Sequence, residues 1–144
     1  MNPVRTHRFL DDIALADIAF EARGKTPIDL ILAVADALIA TMATPSSIKP
    51  RFELSIELDA SDLPELVFVW LSEIFFLKDA ESMVFCETNV TIQEGPPWKL
   101  TGYIRGDTPH IGQLLGNDVK AVTKHMYSVL YDKNEWIAQV VLDV

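Results

Sequence analysis

The alternation of apolar and polar positions predicts most of the strands in this chain. Residues 52–59 alternate strictly, which is typical of a strand with one face on a core and the other in water. Residues 16–22 alternate in the same way and predict an edge or half-exposed strand. Residues 83–93 and 98–105 flank Glu94-Gly95-Pro96-Pro97, whose Gly and Pro residues favour a turn, so the two segments are predicted to form a hairpin.

Two other segments have helical spacing. Thr26-Pro27-Ile28-Asp29 combines an N-cap, a proline in the first turn and an acid, and so predicts a helix start. The buried face of this helix is predicted to consist of Ile31, Val34, Ala35, Leu38, Ile39 and Met42. A second helix is predicted from Leu63 to about Leu77, with Ser61 or Asp62 as its cap. Its apolar surface is wide enough to lie across a sheet, so we expect it to be the central helix.

The C-terminal part of the sequence predicts two further strands. Residues 119–126 are rich in β-branched side chains, residues 132–134 are a turn signal, and residues 136–142 are strongly apolar. Strands therefore outnumber helices, and short turns join them in pairs. The predicted fold class is α+β, with residues 1–144 forming a single layered domain in which two main helices pack on mainly antiparallel sheet. Residues 1–12 are expected to be a flexible N-terminus.

Composition and charge narrow the classes of function. The net charge is −9 and no basic cluster is present, so strong direct binding to nucleic acid is not expected. No apolar signal region begins the sequence, and the apolar stretch 66–77 is too short and interrupted to cross a membrane. The single Cys86 lies in an apolar run, which favours a buried, inert thiol over a nucleophile. We therefore expect a soluble, cytoplasmic protein.

Candidate chemistry is concentrated near the end of the sequence. Asp143 is surrounded by apolar neighbours, so its carboxylate needs a cation, a hydrogen-bond donor or solvent to remain charged. The carboxylate that ends the chain is expected close by, and oxygen ligands of this kind suit Ca²⁺ or Mg²⁺. Asp17 lies beside small residues that leave room around its carboxylate. A solvated surface acid is the alternative for Asp17.

Lys120 and His125 are the other two candidates. In an unbroken strand, residues five positions apart point to opposite faces, so these two share a site only if a bulge intervenes. A solvated edge lysine and a packed sheet histidine are the alternatives. His7 and His110 lie in weakly patterned segments without a recognisable partner, and we assign them no chemistry. The sequence contains no phosphate-binding glycine loop, paired-cysteine motif or nucleophile elbow.

Several short stretches, taken in their order and spacing, resemble the archease family over nearly the whole chain. They are Ala16-Asp17-Ile18, Gly24-Lys25-Thr26, Trp70-Leu71, Phe76-Leu77-Lys78-Asp79, Val119-Lys120-Ala121-Val122-Thr123, His125-Met126 and Val140-Val141-Leu142-Asp143-Val144. There are also departures: Ala14-Leu15 stands where the family has His-Thr, and Lys124 stands where an aromatic residue is usual.

The resemblance implies a protein cofactor rather than a stand-alone enzyme. Archease-like proteins assist the RtcB-type RNA ligase of tRNA splicing by promoting guanylylation of its active-site histidine and multiple turnover. Such a role implies no association with a membrane and no strong direct binding to nucleic acid. GTP would be encountered only in the context of the ligase. An acidic protein suits a basic ligase as its partner.

The resemblance also implies roles for individual residues. A divalent metal ion, expected to be calcium with magnesium or manganese as alternatives, would be bound by Asp17, Asp143 and the backbone oxygen of Val144. Lys120 and His125 would serve in activation of the partner. Two other functions remain open at this point: a chaperone-like protein-binding module with a purely structural metal site, and a small metal-dependent hydrolase.

Overall fold

The computed structural model describes residues 4–11 and 17–144, which form seven strands and two α-helices. In chain order these are β1 (Arg5–Phe9), β2 (Ile18–Gly24), α1 (Pro27–Met42), β3 (Phe52–Ala60), α2 (Leu63–Ala80), β4 (Val84–Gln93), β5 (Trp98–Asp107), β6 (Ala121–Asp132) and β7 (Glu135–Asp143). A short 3-10 helix, Pro45–Ser47, follows α1. This architecture confirms the predicted α+β class.

The strands form two separate sheets with the helices between them. One sheet has the order β1-β2-β7-β6 and the other β3-β5-β4, and every pairing is antiparallel. Each helix contacts strands of both sheets. Because side chains alternate along each strand, one face of each sheet contributes to the main core, which the helices fill from the middle.

Both helices begin where the sequence predicts. The Thr26 hydroxyl accepts a hydrogen bond from the Asp29 amide at 3.2 Å, and the Asp62 carboxylate accepts one from the Glu65 amide at 2.9 Å. The predicted buried face of α1 is buried throughout. The expectation that α2 would be central is wrong, however, because α1 buries 10 of its 16 residues and α2 only 6 of its 18.

The N-terminal segment differs most from expectation. Residues Arg5–Phe9, which we expected to be flexible, form strand β1 and pair with β2 from Phe9↔Phe20 to Arg5↔Gly24. As a result β2 is an interior strand, not an edge strand, and Ala19, Phe20 and Ala22 on it are buried. Ala16, the first residue of the predicted strand, and residues 1–3 and 12 of the expected flexible segment lie outside the described residues.

The predicted hairpin and the two C-terminal strands form, but β6 spans Ala121–Asp132 rather than the predicted 119–126. β4 and β5 form the predicted hairpin, and β6 and β7 are joined at Lys133-Asn134, where both residues have positive φ angles. Cys86 is half-buried, and burial raises the pKa of its thiol, which agrees with an unreactive side chain. No helix in the described part of the chain is both long and apolar enough to cross a membrane.

Candidate functional site

Three neighbouring strands bring four of the five predicted site residues to one end of the four-stranded sheet. The ladder between β2 and β7 ends with Ile18 opposite Leu142, and Asp17 and Asp143 are the residues adjoining this last pair on the two chains of the ladder. On the other side of β7, Ala121 is opposite Asp143, and the Lys120 amide donates a 2.7 Å hydrogen bond to the Asp143 carbonyl. Val144 follows directly. Residues far apart in sequence therefore meet at this sheet end.

Asp17 and Asp143 bring two carboxylates to the same end of the sheet. Directly opposed side chains on antiparallel strands have Cβ atoms about 5 Å apart, and like charges at that distance repel. Asp17 and Asp143 are both exposed, and within residues 4–11 and 17–144 neither is paired with a basic side chain. An unpaired acid pair of this kind is attractive to a cation.

The available donors suit a hard divalent cation. Ca²⁺ takes carboxylate and backbone oxygens at about 2.3–2.6 Å and completes its shell with water. Asp17, Asp143 and the half-buried Val144 offer two carboxylates and a backbone oxygen. No group of three or more His, Cys, Asp or Glu side chains could hold a metal ion in the part of the chain that the structure describes. A site here would therefore depend on backbone oxygen and water as well as the acid pair.

A cleft of about 420 Å³ lies beside Asp17, and Asp143 is not among its lining residues. Asp17 lines it together with Asp11, Thr41 and Asn117. Thr41 belongs to the last turn of α1, and its carbonyl accepts the Asn117 amide at 2.9 Å. The carboxyl end of a helix carries partial negative charge, so the wall from α1 adds to the negative potential from the acids. The cleft thus favours cations over anions.

Lys120 is exposed, and the segment before it is fixed by Lys78 of α2. The Lys78 ammonium donates to the Val119 carbonyl at 2.9 Å and to the Asp118 carboxylate at 3.1 Å. Only 12% of the Lys78 side chain is exposed, so these hydrogen bonds are largely shielded from water. Shielding strengthens them, and they fix the position of the segment before Lys120. Lys78 was part of the archease-like pattern, but its anchoring contacts could not be inferred from the sequence.

His125 lies in a bulge of β6. The pairing of β6 with β7 jumps from Thr123↔Val141 to Ser128↔Gln139, and Met126 has a φ of 52°. Extra residues in one strand interrupt the alternation of side chains, so the side chains within the bulge point in new directions. The opposite-face argument for an unbroken strand therefore does not apply to Lys120 and His125. His125 itself is exposed. The bulge that contains it lies opposite the residues two to four positions before Asp143 on β7.

The bulge is anchored on both sides. Lys124 bonds Glu65 at 3.1 Å and lies over the Phe68 ring, and the Tyr127 hydroxyl donates to the Pro64 carbonyl at 2.6 Å. Burial, followed by the nearby Glu65 carboxylate, raises the pKa of Tyr127, so its hydroxyl remains a donor. The bulge is therefore a built feature of the fold. Lys124, which stands where the family usually has an aromatic residue, therefore connects strand β6 to helix α2.

The structure gives His110 a partner that the sequence analysis did not predict. Its Nε2 lies 3.1 Å from the buried Asp107 carboxylate, which also meets Arg51 at 3.2 Å. Burial alone would raise the pKa of Asp107, but the His110, Thr108 amide and Arg51 contacts together lower it. The bond between His110 Nδ1 and the Ile111 carbonyl, followed by the Asp107 bond, raises the pKa of His110. The three charged groups close the base of the loop after β5.

This cluster predicts a pH-dependent contribution to stability. A histidine whose pKa is raised by folding stabilises the folded state below its unfolded pKa of about 6.5, and that contribution is lost as pH rises through the folded value. The melting temperature of His110→Gln should therefore lie further below the wild-type value at pH 6 than at pH 9. Thermal unfolding of both proteins at the two pH values measures this. An equal difference at both pH values would show that His110 is not charged in the cluster.

Comparisons with known proteins match nearly the whole chain. The model of the Archease protein family (MTH1598/TM1083) matches residues 7–144. A protein archease of Methanopyrus kandleri is 33% identical over 131 residues, covering 90% of this chain and 94% of the relative. A protein archease of Archaeoglobus fulgidus is 29% identical, covering 96% of this chain and 98% of the relative.

Solved structures show the same fold. The solution structure of Methanobacterium thermoautotrophicum protein 1598 superimposes with a TM-score of 0.84 at 30% identity, covering 96% of this chain and 98% of that one. The crystal structure of an archease, described as a possible chaperone, from Thermotoga maritima gives a TM-score of 0.62 at 19% identity, covering 91% and 93%. Since the family model and its relatives span nearly the full chain, this protein belongs to the archease family.

Proposed function

We propose that this protein activates an RtcB-type RNA ligase of tRNA splicing, by promoting guanylylation of the ligase and its multiple turnover. The observation that carries the proposal is the meeting of Asp17, Asp143, Val144 and Lys120 at one sheet end in a member of the archease family. The site combines unpaired acids with an exposed lysine, which suits a cation and phosphate oxygens together. A bound divalent cation, calcium by our expectation, would supply positive charge for phosphate groups.

The chain's own residues have separate parts in this proposal. Asp17 and Asp143 hold the cation from two adjacent strands, and the backbone oxygen of Val144 adds a third donor. The backbone of Lys120 is fixed at the same strand end, because its amide donates to the Asp143 carbonyl. His125 extends the contact surface along the bulge. The proposal asks none of these groups to act as a nucleophile, because the ligase carries out the covalent chemistry.

The direct test mixes the protein with its cognate ligase, GTP and calcium. Transfer of labelled GMP to the ligase should be faster than with the ligase alone, and the ligase should complete more than one ligation cycle. Manganese and magnesium series would identify the preferred ion. If GMP transfer and turnover are the same with and without this protein, the proposal is wrong.

Replacing Lys120 with Met should separate activation from metal binding. The substitution removes the ammonium but keeps the backbone bond to Asp143, so the strand ends stay aligned. We expect the stimulation of guanylylation to fall by about tenfold or more, the range for loss of a charged contact to phosphate. The rise of melting temperature on calcium addition should persist. Lys99→Met, on the exposed face of the other sheet, is the matched control and should stimulate normally.

A chaperone-like binding module with a structural metal site is the second candidate function. It is favoured by exposed apolar side chains in the loop between β5 and β6, among them Ile111 and Leu114. The Thermotoga maritima structure is described as a possible chaperone, which is consistent with this alternative. Suppression of aggregation of an unrelated unfolded protein, together with no effect on the ligase, would favour the second candidate over the first.

A further inference from the structure

The loop between β5 and β6 presents apolar side chains to water. Ile111 is 101% exposed, Leu114 62% and Leu115 52%. Single exposed apolar residues are common on protein surfaces, but three within five positions of one loop form a patch. Exposing such side chains forfeits the stabilisation that their burial would give. We refer to Ile111, Leu114 and Leu115 as the apolar tip.

The tip is held in place rather than left free. Gln113 closes the loop from within, since its amide nitrogen donates to the Thr108 carbonyl at 2.9 Å and its oxygen accepts the His110 amide at 2.9 Å. Leu114 is bonded through its backbone to Thr44 at 2.8 Å and to the Ser47 hydroxyl at 2.9 Å. A preorganised apolar surface loses little conformational entropy when a partner covers it.

The tip has an acidic border. Leu115 lines a cleft of about 360 Å³ together with Asp79 and Asp118, whose side chains are 65% and 83% exposed. The lysine that these two acids share, Lys78, is itself largely buried. Together with the net charge of −9, this border favours a partner surface that carries lysine or arginine.

The tip also lies next to the cleft that Asp17 lines. Gly116 and Asn117, which follow it directly, line both this cleft and the one that contains Asp17. Their amides are fixed to the Met42 and Thr41 carbonyls of α1 at 2.8 and 2.9 Å. A partner that reaches Asp17 from this side therefore meets the apolar tip in the same approach.

We propose that the apolar tip inserts into an apolar pocket, bordered by lysine or arginine side chains, on the RNA ligase. This inference rests on the proposed function, because it takes the ligase as the occupant of the surface. In this arrangement the acidic border speeds encounter with the basic partner, and the buried tip slows dissociation. The acid pair and Lys120 are thereby placed at the ligase's nucleotide.

The test uses Ile111→Asp, a substitution at a fully exposed position that should leave the fold intact. Binding to purified cognate ligase should weaken by about tenfold or more, mainly through faster dissociation. The melting temperature and its shift with calcium should not change. Leu130→Asp, 47% exposed at the far end of β6, is the matched control and should bind like the wild type.

The outcomes distinguish this inference from the proposed function. If wild-type protein stimulates the ligase and Ile111→Asp binds as tightly, the docking surface is wrong and the function stands. If wild-type protein neither binds nor stimulates the ligase, both are wrong. Light scattering of the free proteins adds one more result: a wild-type dimer that Ile111→Asp converts to a monomer, with ligase binding unchanged, would assign the tip to a second copy of this chain and overturn the inference.

Discussion

Asp17→Asn is expected to abolish both the calcium-dependent rise in melting temperature and most of the stimulation of ligase guanylylation. The substitution keeps the size of the side chain but removes one of the two carboxylates at the sheet end. Loss even of groups that only support metal ligands weakens metal binding by about 10–100-fold, so loss of a ligand should cost at least that much. At calcium concentrations that saturate the wild type, the variant would remain largely unbound.

The measurement is thermal unfolding across a calcium series, followed by GMP transfer at each concentration. Asp132→Asn is the matched control, because it removes the same charge from an exposed position at the opposite end of β6. Asp143→Asn should behave like Asp17→Asn, since the two acids are proposed to share one ion. Without calcium, removal of one acid should slightly raise the melting temperature by relieving the repulsion. An unchanged calcium response in Asp17→Asn would remove this residue from the site.

Local patterns were sufficient to predict most of the elements. The strict alternation of residues 52–59 and the capped start at Thr26 are short-range signals, and both elements formed as predicted. Strand β1 was missed because Arg5–Phe9 is short and largely polar, and it is a strand only through its pairing with β2. The interior position of β2 was missed for the same reason, because β1 is the strand that covers its outer edge. Pairing between distant segments leaves little trace in the composition of either segment.

The candidate site, too, could be predicted only in part from the sequence. Asp143 could be selected from its apolar neighbours and Asp17 from the family resemblance, but their alignment depends on the register of β2 and β7. The contacts of Lys78 with Asp118 and Val119 and of Asp107 with His110 join a charged group to a loop or to a buried position. No periodic pattern in the sequence predicts such contacts. They were found only when the fold brought the groups together.

The indole of Trp70 is the largest fully buried side chain, and it links the two helices. Its ring nitrogen donates a 2.9 Å hydrogen bond to the Ile31 carbonyl of α1. Trp70→Ala should lower the free energy of unfolding by about 3–5 kcal/mol, because the cavity lies between both helices where neither can move inward freely. In a domain whose whole stability is about 5–15 kcal/mol, that is a large part of the total.

Denaturant unfolding of three variants separates the causes of this loss. Trp70→Phe keeps most of the packing and removes the indole donor, so it should cost about 1 kcal/mol from the lost bond plus a smaller cavity term. Phe76→Ala removes an aromatic ring from the same helix at a position 59% exposed, and should change stability by about 0.5 kcal/mol or less. If Trp70→Ala cost no more than Phe76→Ala, the core between the helices would have to be loosely packed. Because α1 and α2 also support the strand ends that carry Asp17 and Lys120, Trp70→Phe should retain the calcium response while Trp70→Ala weakens it.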